Sequence, residues 1–188
     1  MSSDVVQPAA LVPLCHNRWT IPLVARLGRN GGGRFAVLGQ DLGVARQTLR
    51  RALDAGIDLG LVMPNPGYGH PLRPEYLLTE GGHRIARAAQ GVIRALPEAN
   101  AELTGRKWTL PVLVAVGGGA ERFSEVEAVL PQATPRALAK TLDDLTEAAW
   151  LVRDVWDERP PRACYRIAPV ARRLTRAATK LAAVVPSA

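Results

Sequence analysis

Residues 106–123 read RKWTLPVLVAVGGGAERF, and residues 17–35 read NRWTIPLVARLGRNGGGRF. The second statement of nearly the same sequence sets the frame for everything else. Aligning the two pairs Trp19 with Trp108, Thr20 with Thr109, Pro22 with Pro111 and Gly28 with Gly117. After a one-residue slip, Arg34-Phe35 meets Arg122-Phe123, Leu38 meets Val126 and Leu42 meets Leu130. The match continues through Leu49 and Leu138, Leu53 and Leu142, and Leu61-Val62 and Leu151-Val152. It then takes in His70-Pro71 and Arg159-Pro160, Arg73 and Arg162, Tyr76 and Tyr165, and Ile85 and Leu174. An offset of 88 to 90 residues is too long for a solenoid period and predicts two copies of a whole small domain.

Each copy can be read by its pattern. In the second, TLPVLVAV is an apolar run whose proline falls in the first turn, where a missing N–H costs little. The glycines of GGGAE end it. RFSEVEAVL (122–130) places Phe123, Val126, Val129 and Leu130 three and four apart, the spacing of a one-sided helix. Thr134-Pro135 reads as an N-cap followed by a first-turn proline. The helix it opens, 135–147, turns Leu138, Leu142 and Leu145 inward and Arg136, Lys140, Asp143 and Asp144 outward. LVRDVW and ACYRIA, separated by DERPPR, predict a hairpin, and 169–184 a last helix burying Leu174, Ala178 and Leu181. The first copy repeats the series: helices at 19–27, 35–42 and 45–58, a hairpin at 61–78 and a helix at 80–95. The expected fold is mainly α with small β-hairpin wings (α+β). Its parts are an N-terminal segment 1–14, a domain 15–96, a partly helical connector 97–104 and a second domain 105–188.

Helix, helix, turn, helix, hairpin, helix is the order of a winged helix-turn-helix, and the motifs resemble one family of such proteins. The HxlR family (MarR-like) of bacterial regulators carries G-K-W-T, then R-F, a recognition helix with L-x-x-x-L, and a wing P-P-R-V-x-Y-x-L-T. The second copy offers GRKWTLPVL, RFSEV, ALAKTL, LVRDVW and ERPPRACYRIA; the first offers NRWTIPLV, RFAVL, TLRRAL, GLVMP and HPLRPEYLLTEGG. The first copy has Asn17-Arg18 in place of Gly-Lys, and the second ends its wing in IAPVARRL. Some family members sense oxidants through a Cys well upstream of the Trp. Cys15 lies only four residues before Trp19, and the second copy has no counterpart.

The resemblance implies a sequence-specific DNA-binding transcriptional regulator. Ordinary members are homodimers, so this chain is expected to act as a single-chain pseudo-dimer, or to pair further. Helices 45–58 and 135–147 would enter the major groove, and wings 61–78 and 151–167 would lie on the backbone or minor groove. Two such helices reach successive grooves when they sit about one turn, ~34 Å, apart. Candidate DNA contacts are Arg46, Gln47, Arg50 and Arg51 on the first helix, and Thr134, Arg136 and Lys140 on the second. Arg bridges guanine O6 and N7, and Gln pairs with adenine. Arg73, Arg159 and Arg162 are candidates on the wings. Each has a plainer reading: Arg50 and Arg51 as a solvated helix face, Arg73 and Arg162 as hairpin braces.

The chain's net charge of +7 is carried almost wholly by Arg, with Lys only at 107, 140 and 180. Arg forks match phosphate and guanine edges, and Arg-rich composition is equally a mark of GC-rich coding. Residues 1–94 hold 11 basic and 6 acidic side chains and residues 95–188 hold 13 and 11, so the first copy is expected to grip DNA harder. A non-specific architectural protein fits less well, because +7 is modest and the recognition helices are not uniformly basic.

The competing reading is a protein that binds a small molecule, such as an aromatic natural product, or confers self-resistance to one. Its site would be the cleft between the copies, with Trp19, Trp108 and Trp156 as candidate walls, and the same cleft could serve a DNA-binding regulator as the site of an aromatic small-molecule effector. The alternative for Trp19 and Trp108 is as core anchors. Catalysis finds no support: His16, His70 and His83 are scattered, and there is no nucleophile elbow, P-loop or zinc spacing. No metal or cofactor is expected. Cys15 and Cys164 make no disulfide framework, and Cys164 reads as a small buried hydrophobe. Without a signal peptide or a membrane-length apolar run, the expected setting is the bacterial cytoplasm, on the nucleoid.

Overall fold

A computed structural model describes residues 6–67, 74–156 and 162–185, with the backbone alone at Trp156 and Arg162. The chain opens with a 3-10 turn, Pro8–Leu11, and a short helix α1, Val12–His16. Then come α2 (Thr20–Asn30), a two-residue strand β1 (Gly33–Arg34), α3 (Phe35–Leu42) and α4 (Arg46–Asp58). Strands β2 (Val62–Pro64) and β3 (Glu75–Leu78) lead into α5 (Glu80–Arg94). A second 3-10 turn, Ala101–Gly105, precedes α6 (Thr109–Gly117), α7 (Phe123–Val129) and α8 (Pro135–Glu147). Strands β4 (Leu151–Trp156) and β5 (Arg162–Ile167), a 3-10 turn (Pro169–Ala171) and α9 (Arg172–Val184) complete it. The fold is mainly helical with two small antiparallel sheets, and the helices and strands among the described residues begin and end within a few residues of where they were expected.

The stripes predicted to be apolar form the core. Leu49 and Leu53 of α4, Leu138, Leu142 and Leu145 of α8, and Leu174, Ala178 and Leu181 of α9 are all buried. Val129 departs from expectation and is exposed, because α7 is under two full turns and Val126 with Leu130 already fills its inner side. Helix α6 is buried on every side from Thr109 to Val116. A helix apolar all round needs cover all round. The 3-10 turn Pro8–Leu11 supplies part of it, packing against α6 and α9 with Leu11 fully buried. Residues 8–14 are thus folded structure, where the sequence pattern showed only an N-terminal segment, 1–14.

Gly28 and Gly117, matched in sequence, do the same work. A Cβ on Gly28 would lie 2.5 Å from the Ala86 methyl, and one on Gly117 2.6 Å from a Thr175 methyl. These glycines let α2 approach α5 and α6 approach α9. In turn α5 packs along α9, joining the elements from 20–94 to those from 109–184.

The turns that close α4 and α8 correct one detail of the sequence alignment. Leu61 N–H donates to Gly56 O at 2.9 Å, and Trp150 N–H donates to Leu145 O at 2.8 Å. Val62 pairs with Leu78 across the first sheet, and Leu151 pairs with Ile167 across the second. Leu61 therefore corresponds to Trp150, at an offset of 89, and not to Leu151. The buried Trp150 ring occupies a leucine's place in the core. Just before it, Ala149 holds φ 57 where the other turn has Gly60 at φ 65.

Strand β1 was not foreseen, since two residues give no periodicity. It adds Arg34 opposite Glu75 at the edge of the first sheet, giving strand order β1-β3-β2. The second sheet has a single bridge, Arg122 to Cys164, at the matching place.

Candidate nucleic-acid interface

Helix α4 forms because RQTLRRALDAGID spaces its apolar residues on one side and leaves the other mostly polar, with Ile57 in its last turn the exposed exception. The buried side is Leu49, Ala52, Leu53 and Gly56; Arg46, Gln47, Arg50 and Arg51 are all exposed. Gly43 in the left-handed conformation (φ 63) ends α3 and turns the chain into α4. Ala45, expected as the first helical residue, is the N-cap and offers no side-chain hydrogen bond. The first N–H groups of α4 therefore have no side-chain acceptor at their cap, and they carry the positive end of the helix dipole.

The Phe35 ring sits beneath this face. The Arg50 guanidinium lies 5.7 Å from its centroid and that of Arg46 5.9 Å, both within cation–π range. Stacking on a ring holds an Arg extended while its N–H edges stay available. Phe35, Arg34, Arg46 and Arg50 line a groove of about 940 Å³ between α3, α4 and Pro74. Phe35 entered the sequence reading only as part of a motif. That it lies under two arginines 11 and 15 residues further on could not be read from spacing.

Helix α8 presents a different face. Thr134 spends its hydroxyl on the cap, accepting from Ala137 N–H at 3.2 Å. Arg136 is exposed. Lys140 donates to Asp144 at 3.2 Å, and Arg106, from the segment before α6, donates to the same carboxylate. Partial desolvation pushes the Asp144 carboxyl up, but hydrogen bonds from Lys140 and Arg106, with the attraction of both charges, outweigh it. The group is held below its ordinary value. Asp144 and Arg106 were missing from the candidate list, although the DD at 143–144 was the sequence signal. The two helices thus share a fold position and differ in charge: α4 shows open arginines, α8 a neutralised cluster.

On the second wing, Arg166 Nε donates to Asp154 at 2.8 Å across the β4–β5 pair. That hydrogen bond and the carboxylate charge push the Arg166 pKa up. On the first, Asn65 Nδ2 donates to Glu75 at 2.7 Å. Arg73, Arg159 and His70 lie outside the described residues, as do the side chains of Arg162 and Trp156. Trp19 and Trp108 are partly buried against the core, with Arg18 and Lys107 over their rings at 5.3 and 4.8 Å. Neither lines the groove beneath α4. Cys15 is buried, and desolvation pushes its thiol up to about 12. Cys164, expected to be buried, is half-exposed, because its strand pairs with β4 and meets Arg122 by only one bridge. Among the described residues no group of three or more metal-ligating side chains gathers, and no helix is long and apolar enough to cross a membrane.

The element order, with a polar helix face behind each turn and a hairpin after it, is that of a helix-turn-helix with wings. Residues 103–187 match the HxlR-like helix-turn-helix family, from the second 3-10 turn to the end of α9. The chain is also similar to several HTH-type transcriptional regulators. One, an uncharacterised regulator of Methanothermobacter thermautotrophicus, is 39% identical over 61 residues, 32% of this chain and 47% of the relative. YvaP of Bacillus subtilis is 32% identical over 66 residues, 35% of this chain and 61% of the relative. A regulator of Mycobacterium tuberculosis is 39% identical over 75 residues, 40% of this chain and 47% of the relative. The chain spans about half to three fifths of the length of these relatives.

Proposed function

We propose that the chain is a DNA-binding transcriptional regulator in which two HxlR-like winged helix-turn-helix domains, 15–96 and 105–188, act as a pseudo-dimer within one polypeptide. The observation that carries this reading is the α4 surface. Four polar side chains suited to bases and phosphates stand exposed on a helix whose opposite side is core, directly behind a helix-turn-helix turn. The recurrence of the element order and of the close-approach glycines Gly28 and Gly117 supports the duplication. The packing of α5 along α9 supports a fixed relation between the halves.

The halves do not contribute equally. Helix α4 supplies base contacts through Gln47 and Arg50, and its uncapped N-terminus and Arg46 take phosphates. Helix α8, with Lys140 drawn to Asp144, makes fewer phosphate contacts and relies on Arg136. The wings, with Arg73, Arg159 and Arg162, follow the backbone or minor groove. The DNA site is accordingly asymmetric, with a strong half read by α4 and a weaker half beside it.

Fluorescence polarisation on duplexes tiled across the DNA upstream of its own gene tests the proposal. One duplex should bind with a log K that falls linearly in log salt. Arg50→Ala should weaken one half-site by roughly 1–3 kcal/mol if it reads a base. Equal weakening on every sequence would make Arg50 a phosphate contact, and salt-insensitive binding would remove the DNA reading altogether.

A further inference from the structure

The pairing of α5 with α9 creates a second cationic feature, remote in sequence from α4 and α8. Arg84, Arg87 and Arg94 of α5 and Arg173, Arg176 and Lys180 of α9 line one open groove of about 770 Å³. All six are exposed, and among the described residues no carboxylate lines the groove. Among the described residues none of the six has an acidic side chain within ion-pair distance. Between them the lining is small: Ala88, Gly91 and Ala177 among others, and a Cβ on Gly91 would meet nothing within 4 Å.

A run of charge on one helix is ordinarily a solvated face. Here the charges come from two helices some 90 positions apart and converge on the same hollow. They do so with equal spacing, Arg84 and Arg87 on one wall and Arg173 and Arg176 on the other. Small residues set the walls apart and leave a concavity between the guanidinium forks. Six cations facing one hollow raise the local concentration of anions, and Arg forks grip phosphate oxygens in pairs. The volume is that of a small-molecule site. A duplex presents its phosphates on a convex surface broader than this hollow.

We propose that the α5–α9 groove binds a small polyphosphate anion of the nucleoside-polyphosphate class, its phosphates spanning Arg87 and Arg176. No residue of α4 or α8 lines it, so the site stands whether or not those helices bind DNA. An occupant would tie α5 to α9 and stiffen the junction between the two halves of the chain.

The test is isothermal titration of the full chain with inorganic tripolyphosphate, with sulfate at matched ionic strength as the control. Saturable binding at one per chain is expected, weakened at least roughly tenfold in Arg87→Gln/Arg176→Gln and unchanged in Arg29→Gln/Arg153→Gln, exposed arginines of α2 and β4 that lie outside the groove. The exposed positions should leave the melting temperature of both variants intact, which differential scanning fluorimetry checks. Binding that both variants weaken alike would mean undirected charge attraction and would overturn the proposal. So would an absence of tripolyphosphate binding together with a loss of duplex affinity in Arg87→Gln/Arg176→Gln, which would make the groove a DNA contact.

Discussion

Asp144→Asn isolates the difference between the two helices. In the folded chain the Asp144 carboxylate holds Lys140 at 3.2 Å and Arg106 by a second ion pair. The substitution removes one negative charge from the α8 face and releases two cations without changing side-chain size. If one of them then meets a DNA phosphate, the slope of log K against log salt steepens by about 0.9. At 0.1 M monovalent salt that contact should raise affinity by roughly 3- to 8-fold, fading towards no effect near 1 M. The lost ion pairs are exposed and worth at most about 1 kcal/mol of stability, so the protein stays folded. Fluorescence polarisation over a salt series, with a melting curve for each variant, measures both quantities. Unchanged affinity and slope in a folded Asp144→Asn protein would refute the idea that this carboxylate quenches α8, as would weaker binding. Acid should mimic the substitution. The Asp144 pairs contribute stability above the ordinary aspartate value of 3.8 and lose it as pH falls through the lower folded value.

Other expectations concern the scaffold. Ala149 has a left-handed backbone that costs a non-glycine residue roughly 1–2 kcal/mol, partly offset by the greater unfolded-state freedom of glycine. Ala149→Gly should therefore stabilise by about 0.5–1 kcal/mol, a rise of about 1–4 °C in Tm, and Gly60→Ala should do the reverse. Opposite signs in calorimetry support the correspondence of the two turns; like signs contradict it. Gly117→Ala should cost about 1–3 kcal/mol in chemical denaturation, because the new methyl meets Thr175 at 2.6 Å. Cys15 should resist a thiol reagent at pH 8 while Cys164 reacts. Above pH 9 the unfolded chain gains from ionising Cys15 and the folded chain does not. Stability should fall with rising pH by up to about 4 kcal/mol near pH 12. A folded protein whose Cys15 is labelled as fast as Cys164 would contradict the burial.

Most of the fold was legible because period and punctuation agreed. The leucine spacing of α4 and α8, Thr134-Pro135 and the matched glycines each have a local cause that a sequence displays. Other features arise only from contacts between distant segments. Strand β1 is too short for a pattern, and the 8–14 segment is helical because α6 has no polar side to leave uncovered. Trp150 was set one position out of register because Leu61-Val62 is repeated as Leu151-Val152 in sequence, and the turn hydrogen bonds to Gly56 and Leu145 together with the strand pairing restore the offset of 89. At the candidate site the exposed arginines of α4 followed from the helix period. The Lys140–Asp144 pair follows from i,i+4 spacing on one helix, but the stacking on Phe35 and the addition of Arg106 to that pair do not, since they depend on how α3 and the 106 region pack beside the helices. The convergence of α5 and α9 cations was equally hidden, because each stripe alone looks like a solvated face.

The most direct measurement is hydroxyl-radical footprinting on the bound duplex, with the mass of the complex determined by analytical ultracentrifugation. One chain should protect two segments about one helical turn apart, the stronger lost in Arg46→Ala/Arg50→Ala and the weaker retained. Two chains on the site, or a single protected segment under one chain, would contradict a pseudo-dimer that offers both its helices to one duplex.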